Sequence, residues 1–298
     1  MTAAPALAGS VPALSLQDDR LFDLIAEQAY RALLYELATW PKPGLVSHVD
    51  AGSHHDMDAA MLCRSAEALR PFFAELALAG WRGAGMNQLR EIGMRAEAAM
   101  LSATGGVNTH RGAIFGLGLL SAAAGTIANV SKDGAVSAQG ELGAIVAQRW
   151  GADIRRGPVP LHSHGSAALR QYGAGGARAE AAGGFPSIYE IGLPALRLGR
   201  ALAPGDAAAA PVQACFALIA AVRDTNLLHR GGSEGARYAA DAAASFLWTG
   251  GVGASDWRVR AARVHAGFVA RRLSPGGCAD LLAMTLFVEA LDTRAVPR

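Results

Sequence analysis

Four connecting segments gather the residues able to handle a phosphorylated, metal-accompanied substrate. The first runs Pro41-Lys42-Pro43-Gly44-Leu45-Val46-Ser47-His48 and continues through Asp50 to His54-His55-Asp56-Met57-Asp58. Two prolines and a glycine prevent helix there, so the loop delivers histidines and carboxylates beside a helix start. Carboxylate oxygens suit Mg2+, and a nucleotide triphosphate completes its shell. Equally, Asp56 can cap the following helix while the histidines are solvated. The second segment is Gly105-Gly106-Val107-Asn108-Thr109-His110-Arg111-Gly112. It leads into a helix whose free N–H groups, with the guanidinium fork of Arg111, suit phosphate. An ordinary polar cap accounts for the same residues, and no G-K-[ST] of a P-loop follows.

The third segment is Arg223-Asp224-Thr225-Asn226-Leu227-Leu228-His229-Arg230-Gly231-Gly232, read as the end of an apolar helix. Asp224 and Asn226 suit metal or ribose hydroxyls, and His229 and Arg230 suit phosphate. A polar C-terminal cap stopped by Gly231 is the alternative. The fourth is Ser274-Pro275-Gly276-Gly277-Cys278-Ala279-Asp280-Leu281, a turn into a helix with room for a ligand to approach. Asp280, in the first helical turn of this reading, also complements a helix dipole. Two weaker features are His162-Ser163-His164, which lacks the i,i+4 spacing of a helical metal pair, and Arg178-Ala179-Glu180, read as a surface ion pair.

Apolar residues at helical spacing must position these loops. Leu21, Leu24, Ile25, Ala29, Ala32, Leu33 and Leu37 form one stripe, closed by Pro41. A second helix is expected from Asp56 with Pro71 as a kink or break, and others at Leu89–Met100, Ala113–Ile127 and around Leu142–Val146. Five more are expected near 186–200, 207–222, 234–246, 255–272 and 279–291. No β-branched alternation is sustained, so the fold class is all-α: one multi-helix domain over 18–298 behind a flexible leader over 1–17. Glycine-rich stretches near 173–184, 231–235 and 250–253 read as loops, the first a candidate lid.

Bulk properties narrow the classes further. Of 298 residues, 51% are hydrophobic and 17% charged, with a net charge of +2. No global field recruits nucleic acid or an anionic membrane. The longest apolar stretch, 207–222, is too short to span a bilayer. Cys63, Cys215 and Cys278 are widely spaced, as expected of reduced thiols in a cytoplasmic protein.

In order, K-P-G-L-V, H-x-D-M, G-V-N-T-H-R-G-A-I-F, D-T-N-L-L-H-R-G-G and S-P-G-G-x-A-D-L-L-A resemble the triphosphoribosyl-dephospho-CoA synthase family over residues 20 to 291. The wording is closer to the malonate decarboxylase branch than to the citrate lyase branch, where Lys is expected in place of Arg111. The resemblance implies a transferase joining ATP and 3′-dephospho-CoA into 2′-(5″-triphosphoribosyl)-3′-dephospho-CoA with release of adenine. It implies inversion at the ribose carbon, an oxocarbenium-like transition state and no enzyme nucleophile. Lys42, Arg111 and Arg230, with the amides near Gly276 and Gly277, are then expected to hold phosphate. Asn108, Asn226, His229 and Ser274 are expected to contact substrate, and Asp50, Asp56, Asp224 and Asp280 to bind Mg2+ or ribose. His110, Asp56 or Asp224 is the expected base. The product would pass to a holo-synthase acting on an acyl carrier protein, and the chain would act as a homodimer. The competing reading is a helical metal-dependent hydrolase of nucleotides or N-glycosides; a non-catalytic binding protein is the third.

Overall fold

The structure is a computed structural model that describes residues 16–130, 141–158 and 175–293. Residues 1–15 of the expected leader and the His162-Ser163-His164 motif lie outside the described residues. Within them the chain forms α-helices and no strand. In chain order they are α1 (Leu16–Ala38), α2 (Ala59–Trp81), α3 (Met86–Ala103), α4 (Arg111–Val130), α5 (Glu141–Arg156) and α6 (Gly176–Ala182). A π-helical turn (Ile188–Gly192) then leads into α7 (Leu193–Leu202), α8 (Ala209–Ala221) and α9 (Thr225–Trp248). A 3-10 turn (Gly251–Gly253), α10 (Trp257–Ala270) and α11 (Gly276–Thr293) complete it.

Three helices are apolar on nearly every side and form the interior: α4, α8 and α11. In α11, Cys278, Leu281, Leu282, Ala283, Met284, Leu286, Phe287 and Val288 are all buried. A helix hydrophobic all round belongs inside a protein. Amphipathic helices wrap this centre; α1 turns inward the stripe Phe22, Ile25, Ala26, Ala29 and Leu33. Small residues set the closest approach. A Cβ on Gly80 of α2 would lie 1.8 Å from the Ala122 carbonyl oxygen of α4. A Cβ on Gly125 would lie 1.9 Å from the Ala77 carbonyl oxygen. By length and composition α4 would also cross a membrane, but it is mostly buried in this core.

Four local expectations change. Helix α2 starts at Ala59, capped by Asp58, whose Oδ1 accepts the Met61 amide at 2.8 Å; Asp56 is not its cap, and Pro71 does not break it. The Asp224–Gly232 segment begins a helix rather than ending one, because the Asp224 side chain caps α9. The stretches near 173–184 and 231–235 carry helix rather than loop: α6 occupies 176–182, and α9 runs through 231–235 with a break at Gly232, whose φ of 61° no helix allows. Asp280 lies one position beyond the first turn of α11, since that helix starts at Gly276.

Candidate active site

The N-terminal ends of α4, α9 and α11 meet, and two aspartates stitch them together. Asp224 Oδ1 accepts the amides of Asn226 (2.7 Å) and Leu227 (3.3 Å) in α9, and its Oδ2 accepts Cys278 N–H of α11 at 2.8 Å. Asp280, on α11, lies against the first turn of α4, where the Ala113 amide favours its charged form. Helix N-termini expose unpaired N–H groups and the positive end of the dipole, so three together make a basin for negative charge.

Glycines make room for both carboxylates. A Cβ at Gly112 would lie 1.9 Å from Asp280 Oδ2, and one at Gly277 3.0 Å from Asp224 Oδ2. A Cβ at Gly276 would lie 3.0 Å from Asn226 Nδ2, so the glycine turn, the amide and the acid pack directly. Burial raises the Asp224 pKa against the pull of its backbone donors. Asp280 is pushed well above the usual carboxylate range, first by burial, then by the charges of Asp224 and Glu36. Asp280 keeps part of its surface open, whereas Asp224 is buried.

Beneath this pair lies a polar layer. Lys42 is fully enclosed; its ammonium donates to Glu36 Oε1 at 2.5 Å and to the Glu36 carbonyl at 2.6 Å. Lys42 is therefore an internal counter-charge, not a phosphate ligand at an open surface. His110 is also buried, its Nδ1 2.7 Å from Ser65 Oγ, which accepts from Thr109 Oγ1 at 2.7 Å. Burial and then the Lys42 charge lower the His110 pKa to about 4. The imidazole is neutral at neutral pH and too weakly basic to be a good proton acceptor there, which counts against it as the base.

The first loop reaches the same place from the other side. His54 Nε2 lies 2.8 Å from Ser274 Oγ in the turn before α11. The Arg230 guanidinium of α9 donates to the Ser53 carbonyl at 3.2 Å and to His54 Nδ1 at 3.3 Å. Ser53 Oγ donates to the Leu273 carbonyl at 2.6 Å. Asp56 touches His54 Nδ1 at 3.3 Å but is mostly solvated, and Asp50 pairs instead with His265 Nε2 at 3.2 Å. His265, buried on α10, also bonds the Lys42 carbonyl through Nδ1 at 2.6 Å. Sequence reasoning missed both His265 and Ser65. Each sits within an otherwise ordinary helix, and only the fold reveals its partner.

The remaining expected residues stand at the periphery. Asn108 Oδ1 accepts the Arg111 amide at 3.2 Å, capping α4, and Arg111 pairs with Glu97 on α3. His229 is exposed one turn into α9. The four expected metal aspartates do not converge as one set: among the described residues no three His, Cys, Asp or Glu side chains come together to hold a metal ion. What remains is the pair Asp224 and Asp280.

Comparison with known proteins bears on what such a site does. A family model described as ATP:dephospho-CoA triphosphoribosyl transferase matches residues 22–297. A protein of Azotobacter vinelandii named "Probable 2-(5''-triphosphoribosyl)-3'-dephosphocoenzyme-A synthase" is 40% identical over 277 residues, covering 91% of this chain and 92% of its own. One of the same name from Acinetobacter calcoaceticus is 37% identical over 281 residues, covering 91% and 94%. A "2-(5''-triphosphoribosyl)-3'-dephosphocoenzyme-A synthase" of Klebsiella pneumoniae is 38% identical over 270 residues, covering 89% and 93%. No solved structure matches the chain.

Proposed function

The chain belongs to the ATP:dephospho-CoA triphosphoribosyl transferase family, and from that membership we propose how its residues carry the transfer. It is a transferase that joins the triphosphoribosyl unit of ATP to 3′-dephospho-CoA and releases adenine. The observation that supports the residue roles is the meeting of three helix N-termini around Asp224 and Asp280.

The triphosphate lies at the N-terminal amides of α11 near Gly276 and Gly277, with the Arg230 guanidinium tied to the same turn through His54. Ser274, Asn226 and His229 line the approach. Arg111 and Asn108 edge it from α4, with Arg111 drawn from Glu97 by a stronger anion. Asp280 is the residue assigned to the acceptor. Its pKa is raised and its surface is partly open, so its carboxylate can take the proton of the attacking 2′-hydroxyl as the new glycosidic bond forms. Asp224, fixed by three backbone donors, sets the negative field that favours the cationic ribose carbon. One displacement with inversion needs no enzyme nucleophile, and aligning two bound nucleotides supplies most of the gain.

The donor chemistry of the pair fits Mg2+, which takes one or two carboxylates and completes its shell with phosphate and water. Asp224 and Asp280 would hold it, and the ion would supply charge neutralisation of the triphosphate. We further propose the malonate decarboxylase carrier protein as the destination of the product, through a holo-synthase, on the wording of the motifs around Arg111. The free cysteines accord with a reducing cytoplasm. The test is to incubate the purified chain with ATP, Mg2+ and dephospho-CoA and to follow the bases released. Adenine that appears only with the acceptor present supports the transfer; adenine at equal rate without it makes the chain a hydrolase.

A further inference from the structure

His54 lies outside the catalytic and ligand-binding roles set out above, yet it joins two parts of the site that come from distant stretches of chain. Its ring is mostly enclosed, with 11% of the side chain exposed. On one edge Arg230 donates to Nδ1 at 3.3 Å; on the other Nε2 meets Ser274 Oγ at 2.8 Å. Burial and the Arg230 charge lower its pKa, which agrees with a neutral ring whose Nδ1 lone pair faces the guanidinium. In that tautomer Nε2 carries the proton and donates to Ser274. The contacts of Arg230 are the Ser53 and Arg272 carbonyls and His54; none is a carboxylate. Among the described residues no carboxylate bonds Arg230 directly; the solvated Asp56 reaches the same His54 nitrogen at 3.3 Å, and the place of the guanidinium is fixed by neutral acceptors. Ser274, buried at the other edge, sits two residues before the glycine that starts α11.

We propose that His54 is a positioning residue that makes Arg230 and the Ser274–Gly277 turn one phosphate-binding unit. This rests on the placement of the triphosphate given above. A ligand phosphate engaging the guanidinium and the turn amides together would find their spacing already set, so the ordering cost of binding is met by the fold. The role is one of distance, not of proton transfer. A side chain of similar reach, able to accept on one side and donate on the other, should replace it.

The experiment measures adenine release for His54→Ala, His54→Gln, Arg230→Ala, Ser274→Ala and the His54→Ala/Arg230→Ala double variant, with ATP binding by calorimetry and thermal unfolding as a check of fold. His54→Ala should raise KM for ATP about tenfold and leave kcat within about threefold, since it removes binding shared by ground and transition states. His54→Gln should recover most of that loss, and Ser274→Ala should reproduce it without enlarging a cavity. The double variant should be little worse than Arg230→Ala alone, because residues acting as a unit are non-additive. Loss of kcat in His54→Gln equal to that in His54→Ala, with a changed pH profile, would overturn the proposal in favour of proton transfer. Additive losses in the double variant would overturn it too. A wild-type chain that binds ATP but releases no adenine would instead defeat the underlying reading.

Discussion

The carboxylate of Asp280 fills the space that a side chain at Gly112 would need: a Cβ there would sit 1.9 Å from Oδ2. The first turn of α4 and the second turn of α11 are thus fitted to each other by the absence of one methyl group. Gly112→Ala should therefore act as an active-site substitution, although residue 112 has no chemistry of its own. Displacing a reacting carboxylate by about 1 Å can cost about a hundredfold in rate. Adenine release should fall by that order while helix content is kept.

The two aspartates should part company when each is made an amide. Burial, Asp224 and Glu36 all raise the Asp280 pKa, so its ionised form is a burden on the folded chain. At pH values above its unfolded pKa the folded state is penalised, and Asp280→Asn should keep or raise the melting temperature while removing activity. Asp224 instead accepts three backbone N–H groups. Asp224→Asn turns an amide NH2 toward donors and should cost about 1–3 kcal/mol, read as a lower denaturation midpoint. Urea titrations of the two variants at pH 7.5 would show the contrast.

Much of this was legible in the sequence, and the limits have physical causes. The all-helical class follows from the 3.6-residue stripes, and the polar loops from proline and glycine. The direction of Asp224 was misjudged because an Asp between two apolar runs reads equally as the end of one helix or the cap of the next. The extended backbone at Val222, which ends α8, and the α9 amides that Asp224 accepts decide it. Lys42, in a proline-glycine loop, reads from sequence as a phosphate ligand. Its burial depends on Glu36, six residues back in the last turn of α1, and on packing that no local pattern reports. His54, His265 and Ser65 acquire partners from residues 274, 50 and 110, which sequence spacing cannot relate.

The buried ion pair gives a second stability test. Lys42→Met leaves the Glu36 carboxylate enclosed without its partner, which should cost about 3–5 kcal/mol. Pairing it with Glu36→Leu should recover most of that loss. Equal destabilisation of the single and double variants, measured by denaturant unfolding, would mean that the Lys42 ammonium is supported by other groups.

His110 sets a pH dependence on the acid side. Its folded pKa is about 4, below the ordinary 6.5. Above pH 6.5 both states are neutral and stability is full. As pH falls from 6.5 to 4 the unfolded chain takes up a proton that the folded chain refuses, so stability is lost through that window. The loss is about 3 kcal/mol from the size of the shift. His110→Gln should be less stable at pH 7 through lost packing, and the gap to the wild type should narrow as the pH approaches 4.

The most direct measurement is the fate of the ATP ribose in a single reaction. The chain is given ATP, Mg2+ and 3′-dephospho-CoA, and the products are resolved by mass spectrometry, with Asp280→Asn alongside. The account predicts equal amounts of free adenine and triphosphoribosyl-dephospho-CoA from the wild type, and at least about a hundredfold less of both from the variant, the scale of a lost reacting group. An Asp280→Asn enzyme with wild-type turnover, or product formed without adenine, would contradict it.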